Sequence, residues 1–275
     1  MKNILVPTDF SDNAMSAFRF ALDLAPVLRT NIDLVHVYPL PDTEVAGGIR
    51  LHEAEEKWMN EFLRTGQTGL DTPVQVSARL LQGITEGQLV RNSDSPDVEM
   101  IIMGAEGSGG IGKKWFGSIA ETVARQAHCP VMLIPEGVSF KGFHHILFAS
   151  DYTSADPGVL DMLINFAGRF HASIHFVHVE KPGEGAEYAK IEQRIMDYLF
   201  RNGAPAFSFQ MTCVHADRIA EGLSDYAGQN HIDLLVMVAS QRSFWETLFR
   251  HSYTKEMILQ SRIPLMVFHQ KNPKP

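Results

Sequence analysis

Cysteine is scarce in this 275-residue chain: there are two, Cys129 and Cys213, far apart and in no CxxC pair. That excludes a disulfide framework or a cysteine-based zinc finger as the organising element. Both thiols are expected to be ordinary buried or half-buried side chains. Long apolar runs are missing as well. None approaches the roughly 18–20 residues that span a bilayer. The opening MKNILVPTDFS has too short an apolar stretch for a signal-peptide core, so a cytoplasmic protein with no membrane role is expected. A basic field is also lacking. Residues 1–139 carry 11 Lys and Arg against 18 Asp and Glu, the remainder 13 against 14, and the net charge is −8. This speaks against nucleic acid as a partner.

What is present is alternation. Ile4-Leu5-Val6 reads as a strand ended by Pro7-Thr8-Asp9. Ser11 or Asp12 then caps a helix to about Leu28, with Ala14, Ala17, Phe18, Ala21, Leu22 and Ala25 near helical spacing. Strands follow at Ile32 to Tyr38, about Val74 to Leu80, Val98 to Met103 and Pro130 to Ile134. Helices are expected at roughly 44–64, 86–92 and 118–127. Strictly alternating strands and helices predict an α/β fold, a parallel sheet with helices on both faces.

The series then restarts. Ile146 to Thr153 matches Ile4 to Ser11, and Phe176-Val177-His178-Val179 matches Leu34-Val35-His36-Val37, both at an offset of 142 (151 − 9). Later the offset becomes 134: Ile232 to Met237 lies over Val98 to Met103, and Ile263 to Val267 over Cys129 to Leu133. Two tandem copies of one domain are expected, residues 1–137 and 143–270, joined by a short polar linker.

Between the fourth strand and Ser118 lies a loop with glycines at 104, 107, 109, 110 and 112, then Gly117. Glycine lets backbone N–H groups approach an anion, and a helix N-terminus adds partial positive charge. Three phosphate templates fit. Gly107-x-Gly109-x-x-Gly112 matches a dinucleotide fingerprint, but that motif belongs after a first strand. Gly107-x4-Gly112-Lys113 matches most of a Walker A loop, but Lys114 stands where a Mg²⁺-binding Ser or Thr belongs. The third, Gly104-x2-Gly107-x9-Gly117-Ser118, is complete and in place after strand four.

With this loop, the opening ILVPTDFS, the LVHVY strand (34–38) and the HCPVMLIP ending (128–135), the chain resembles the universal stress protein family over essentially residues 1–270. The resemblance implies two open five-stranded parallel sheets of order 3-2-1-4-5, with a ligand over the carboxyl ends of the strands near the switch between strands one and four. It implies ATP, with Mg²⁺ as a possible companion. Asp9 would face the ribose and adenine end and Val37 would meet adenine through its backbone. Met103, Gly104, Gly107, Gly117 and Ser118 would line the phosphates. Bland alternatives stay open: Asp9 as a helix cap, Val37 as core, and the glycines as turn residues.

In the second copy, offset 134 puts Val238 over Gly104, Gln241 over Gly107 and His251 over Gly117, leaving only Ser252 in register with Ser118. One nucleotide per chain, in the first copy, is therefore expected. A metal site is not. His175 and His178 are three apart on one strand and point to opposite faces, and His178 repeats His36. The apolar edge strands Val131 to Ile134 and Leu265 to Phe268 suggest that the two copies pair as an internal pseudo-dimer, with a further homodimer permitted. A regulatory nucleotide-binding protein with at most slow hydrolysis is the leading expectation, since only Glu106 stands near as a base. The alternatives are an interaction module with a vestigial site, or an adenylate-transfer enzyme.

Overall fold

The structure, a computed structural model, describes residues 1–39, 45–69, 74–106, 117–150, 155–180, 188–239 and 262–269. The chain divides into two units, Met1–Phe140 and Lys141–Pro275.

In the first unit the order is β1 (Asn3–Pro7), α1 (Asp12–Leu28), β2 (Asn31–Tyr38), α2 (Val45–Gln67), β3 (Val76–Gln82), α3 (Thr85–Ser93), β4 (Val98–Gly104), α4 (Ser118–Gln126) and β5 (Val131–Ile134). Its strands are parallel and lie in the order β3-β2-β1-β4-β5. The second unit repeats this as β6 (His145–Ala149), α5 (Pro157–Gly168), β7 (Ser173–Glu180), α6 (Tyr188–Leu199), β8 (Phe209–His215), α7 (Ile219–Gln229), β9 (Leu234–Val238) and β10 (Leu265–Phe268). Its strand order, β8-β7-β6-β9-β10, is the same 3-2-1-4-5 arrangement.

α1 begins where its sequence says. Ser11 is its N-cap, with extended backbone and an Oγ that accepts from the Ala14 N–H at 3.2 Å. Ala14, Ala17, Phe18, Ala21, Leu22 and Ala25 are all buried against the sheet. The helix ends with Arg29 in the left-handed region, φ 55°, its N–H returning to Ala25 and Pro26 carbonyls. His171 repeats this left-handed turn at φ 54° in the second unit, 142 residues on.

Strand pairing fixes the repeat more finely than sequence does. Asn3 pairs with Asn31 and His145 with Ser173, so the offset is 142 on both first strands. Ile32 pairs with Val76 and Ile174 with Phe209, so the third strands are 133 apart. β3 runs two residues later than expected, through Gln82. It stays in register with β2 until Gly83, at φ 137°, turns the chain away. Its mixed, half-exposed pattern carries little period-two signal, which is why its ends were hard to place from sequence.

The central strands are buried on both faces, so charge inside them must be paired. Asp33 on β2 is 7% exposed and is gripped by Arg79 of β3, whose Nε donates to both carboxylate oxygens at 2.8 and 3.0 Å.

Candidate functional site

The carboxyl ends of β1, β2 and β4 and the N-terminus of α4 form the candidate site of the first unit. β1 lies between β2 and β4, and β4 alone leads to β5, so the direction of winding reverses between β1 and β4. Chains leaving the two strands go to opposite faces there and open a crevice.

The end of β1 is held in one conformation. The Thr8 N–H donates to the Val35 carbonyl at 2.9 Å. His36 on β2 reaches back so that its Nδ1 lies 2.7 Å from the Thr8 carbonyl, while its Nε2 lies 3.1 Å from Glu55 Oε2 on α2. Both contacts to β1 recur in the second unit, Ser150 N–H to Val177 carbonyl at 2.8 Å and His178 Nδ1 to Ser150 carbonyl at 2.8 Å. The repeated histidine is thus a brace between the first two strands.

Asp9 is exposed, and its Oδ1 accepts from the Ser11 N–H at 3.1 Å and the Ser11 hydroxyl at 2.5 Å. It does not cap α1 itself; it orients the serine that does. Phe10, next to it, sits at φ 63°, a costly conformation for a bulky residue. Its ring stacks on His36 with centroids 4.3 Å apart and meets Phe62 and Trp58 edge-on. Val37 is 9% exposed at the end of β2. Tyr38 beyond it places its hydroxyl 2.9 Å from His52 Nδ1 on α2.

Met103 is buried and Gly104 ends β4. A Cβ on Gly104 would collide with Asn13 Oδ1. Asn13, in the first turn of α1, is buried and bridges three segments. Its Nδ2 donates to the Ile134 carbonyl of β5 at 3.1 Å, and its Oδ1 accepts from the Glu106 N–H at 2.8 Å. The loop closes through the Ala105 carbonyl, which accepts from the Gly117 N–H at 2.9 Å. Gly107 lies outside the described residues, as do Lys113 and Lys114.

Gly117 is the N-cap of α4, with φ −60° and ψ 144°, and Ser118 stands exposed as the first helical residue. Any residue can adopt that backbone, and Ser, Asp or Asn would cap the helix better than glycine. The first N–H groups of α4 have no partner from the cap side chain. Glycine is an acceptable N-cap, but these torsions do not require it. It adds no side chain at the helix N-terminus, which is what close approach of an anion requires.

Asn13 was missed in the sequence. The signal was in the repeat: at offset 142 Asn13 becomes Ala155, and at offset 134 Gly104 becomes Val238. One copy pairs a polar side chain with none, the other a methyl with a branched side chain, and both Ala155 and Val238 are buried.

A second concavity, of about 380 Å³, is lined by Asn3, Asn31, Ile32, Gln75, Val76 and Ser77 at the amino ends of β1–β3, away from this site. Its lining has no titratable group. Asp151 and the loop from residue 240 to 261 in the second unit, Trp245 and His251 included, are outside the described residues. Among the described residues, no helix is long and apolar enough to cross a membrane.

The universal stress protein family profile matches residues 1–135 and again 142–269. Universal stress protein Slr1230 of Synechocystis sp. is 23% identical, covering 98% of this chain and 100% of its own length. Universal stress protein MJ0531 of Methanocaldococcus jannaschii is 28% identical over 144 residues, 48% of this chain and 81% of that protein. A crystal structure of a universal stress protein from Archaeoglobus fulgidus superposes with a TM-score of 0.74 at 16% identity, over 99% of this chain and 97% of that one. The chain therefore belongs to the universal stress protein family, with one family domain in each of its two units.

Proposed function

We propose that the first unit binds an adenine nucleotide, ATP in the first instance, and that the protein serves a cytoplasmic stress response through occupancy of that site. The observation that carries the reading is Gly117: a glycine whose backbone needs no glycine, placing no side chain at the start of α4, after a loop rich in glycine. Gly117 and the Ser118 hydroxyl and N–H would hold phosphate, with Gly107 in the same loop. Met103 and Gly104 would border it through their main chain, because the Cβ direction of Gly104 is filled by Asn13. Asp9 would accept from ribose hydroxyls, and Val37 would meet adenine through its backbone.

Bound ATP would bring its own triphosphate charge, and Mg²⁺ with it would shield that charge. The residues here bind and orient. Glu106 is the nearest carboxylate in the loop, its backbone N–H donating to Asn13 Oδ1, and the sequence singles out no base. Hydrolysis is accordingly expected to be slow. Pairing of the two units through their apolar edge strands, and any further homodimer, belong to the same proposal and rest on sequence alone.

Mass spectrometry of small molecules released from purified protein, followed by ATP titration of the parent and Gly117→Val, tests the reading. Because the Gly117 torsions suit valine, the variant is expected to fold and to lose ATP binding. Equal affinity of the two proteins would refute the site. Release of pyrophosphate with any acceptor would instead favour adenylate transfer.

A further inference from the structure

The second unit has lost the glycines, but it has gained something the first unit lacks. β7 and β8 are parallel neighbours in the register His178 to Cys213, Val179 to Val214 and Glu180 to His215. Side chains alternate along a strand, so Glu180, Cys213 and His215 share one face of the sheet at its carboxyl end. Their ligand atoms, a carboxylate oxygen, Sγ and an imidazole nitrogen, all lie within 4.8 Å of one another. At the equivalent places in the first unit, the pairs His36 to Leu80 and Tyr38 to Gln82 supply a tyrosine, a leucine and a glutamine. The brace histidine is common to both units; the three ligand types belong to the second alone.

We infer that Glu180, Cys213 and His215 form a metal site that takes a borderline-soft divalent cation, zinc. One thiolate, one imidazole and one carboxylate are zinc donors of the kind that leave a fourth position for water. The donors of a tetrahedral zinc stand roughly 3.3–3.8 Å apart. Closing the set needs a shift of at most about 1 Å, which the exposed His215 can supply by rotating its ring.

The surroundings orient the cluster. The Glu180 carboxylate is buried, and its Oε1 accepts from the Tyr188 N–H at 3.0 Å, the first residue of α6. Such outer contacts fix a ligating carboxylate. The buried His178 has Nδ1 2.8 Å from the Ser150 carbonyl, so that nitrogen carries the proton. Its Nε2 lies 3.8 Å from Glu180 Oε1, on the same face of the sheet. The Cys213 thiol donates a hydrogen bond to the Glu180 carboxylate. Zinc binding would release this proton to solvent as the Zn–S bond forms.

The test uses full-length protein purified without a histidine tag, treated with chelator and then given zinc or Co²⁺. The expected result is about one zinc per chain by elemental analysis and, with Co²⁺, a thiolate-to-cobalt charge-transfer band with tetrahedral d–d intensity. Cys213→Ser should lose the band, and His215→Ala should lose stoichiometric metal. Cys129→Ser, which removes a buried thiol outside the cluster, should keep both. His215 is exposed, so its variant is expected to fold and decides the matter if the cysteine variant does not. Parent protein without the band, or unchanged metal binding by His215→Ala, would overturn the inference. ATP titration of the same variants should match the parent, since the nucleotide is assigned to the other unit.

Discussion

Asn13 occupies the space that a side chain on Gly104 would need. Through that contact the first turn of α1 holds both the end of β5 and the start of the glycine loop. A residue that resembles part of a phosphate motif is thus also required by packing, and the two roles can be separated by substitution.

Gly104→Val alone should destabilise the protein by about 1–3 kcal/mol, the usual cost of overpacking a filled interior. Asn13→Ala alone should cost about 1–3 kcal/mol by stranding the Glu106 N–H. The double variant reproduces the Ala155 and Val238 combination of the second unit. It should be more stable than the sum of the two predicts, with a coupling of about 1 kcal/mol or more. Urea denaturation of the four proteins measures this; strict additivity would mean the two positions do not share one space.

Phe10 is held at positive φ by its stack on His36. Phe10→Ala loses the ring and keeps the backbone strain, whereas Phe10→Gly loses the ring and relieves it. The glycine variant should therefore be the more stable of the two by about 1 kcal/mol. Thermal or urea melts of the pair give the answer, and the reverse order would place the strain elsewhere.

His175 supplies a pH dependence. It is buried, with Nε2 3.2 Å from His145 Nδ1 and Nδ1 3.1 Å from the Tyr226 hydroxyl. Burial first, and then the charge of His145, lowers its pKa below the ordinary 6.5. The folded state therefore disfavours the proton that the unfolded chain accepts. The stabilisation is present above 6.5 and is lost as pH falls through the lower folded value. Parent protein should lose stability on acidification in that window. His175→Gln, which can still meet Tyr226, should lose less, as read from urea midpoints at a series of pH values.

The Asp33–Arg79 pair should behave as a buried carboxylate with a half-exposed partner. Arg79→Ala leaves Asp33 charged between strands and is expected to cost about 1–3 kcal/mol. Asp33→Leu combined with Arg79→Met should cost less than Arg79→Ala alone, because apolar groups replace both charges. Calorimetric melts of the three proteins check the order.

Much of this molecule is written locally. Strand and helix alternation, the Ser11 cap, the buried face of α1 and the internal repeat all depend on residues near one another in the chain. Spacing alone reveals them. The Gly104 to Ser118 spacing is read in the same way, with residues 107–116 outside the described residues. β3 was harder, because an edge strand half in solvent has weak periodicity.

Tertiary structure decided what depends on strands far apart in sequence. The Asn13 bridge joins positions 121 residues apart, and no local pattern marks it. The histidines of β7 looked unpromising for metal when read along their own strand, and His175 and His178 do take different partners. Only the register of β7 on β8 brings Glu180 beside Cys213 and His215. Sequence by itself determined the type of each element, the two copies and the family. Which side chains meet was decided by strand register, because a shift of one residue turns every side chain to the other face.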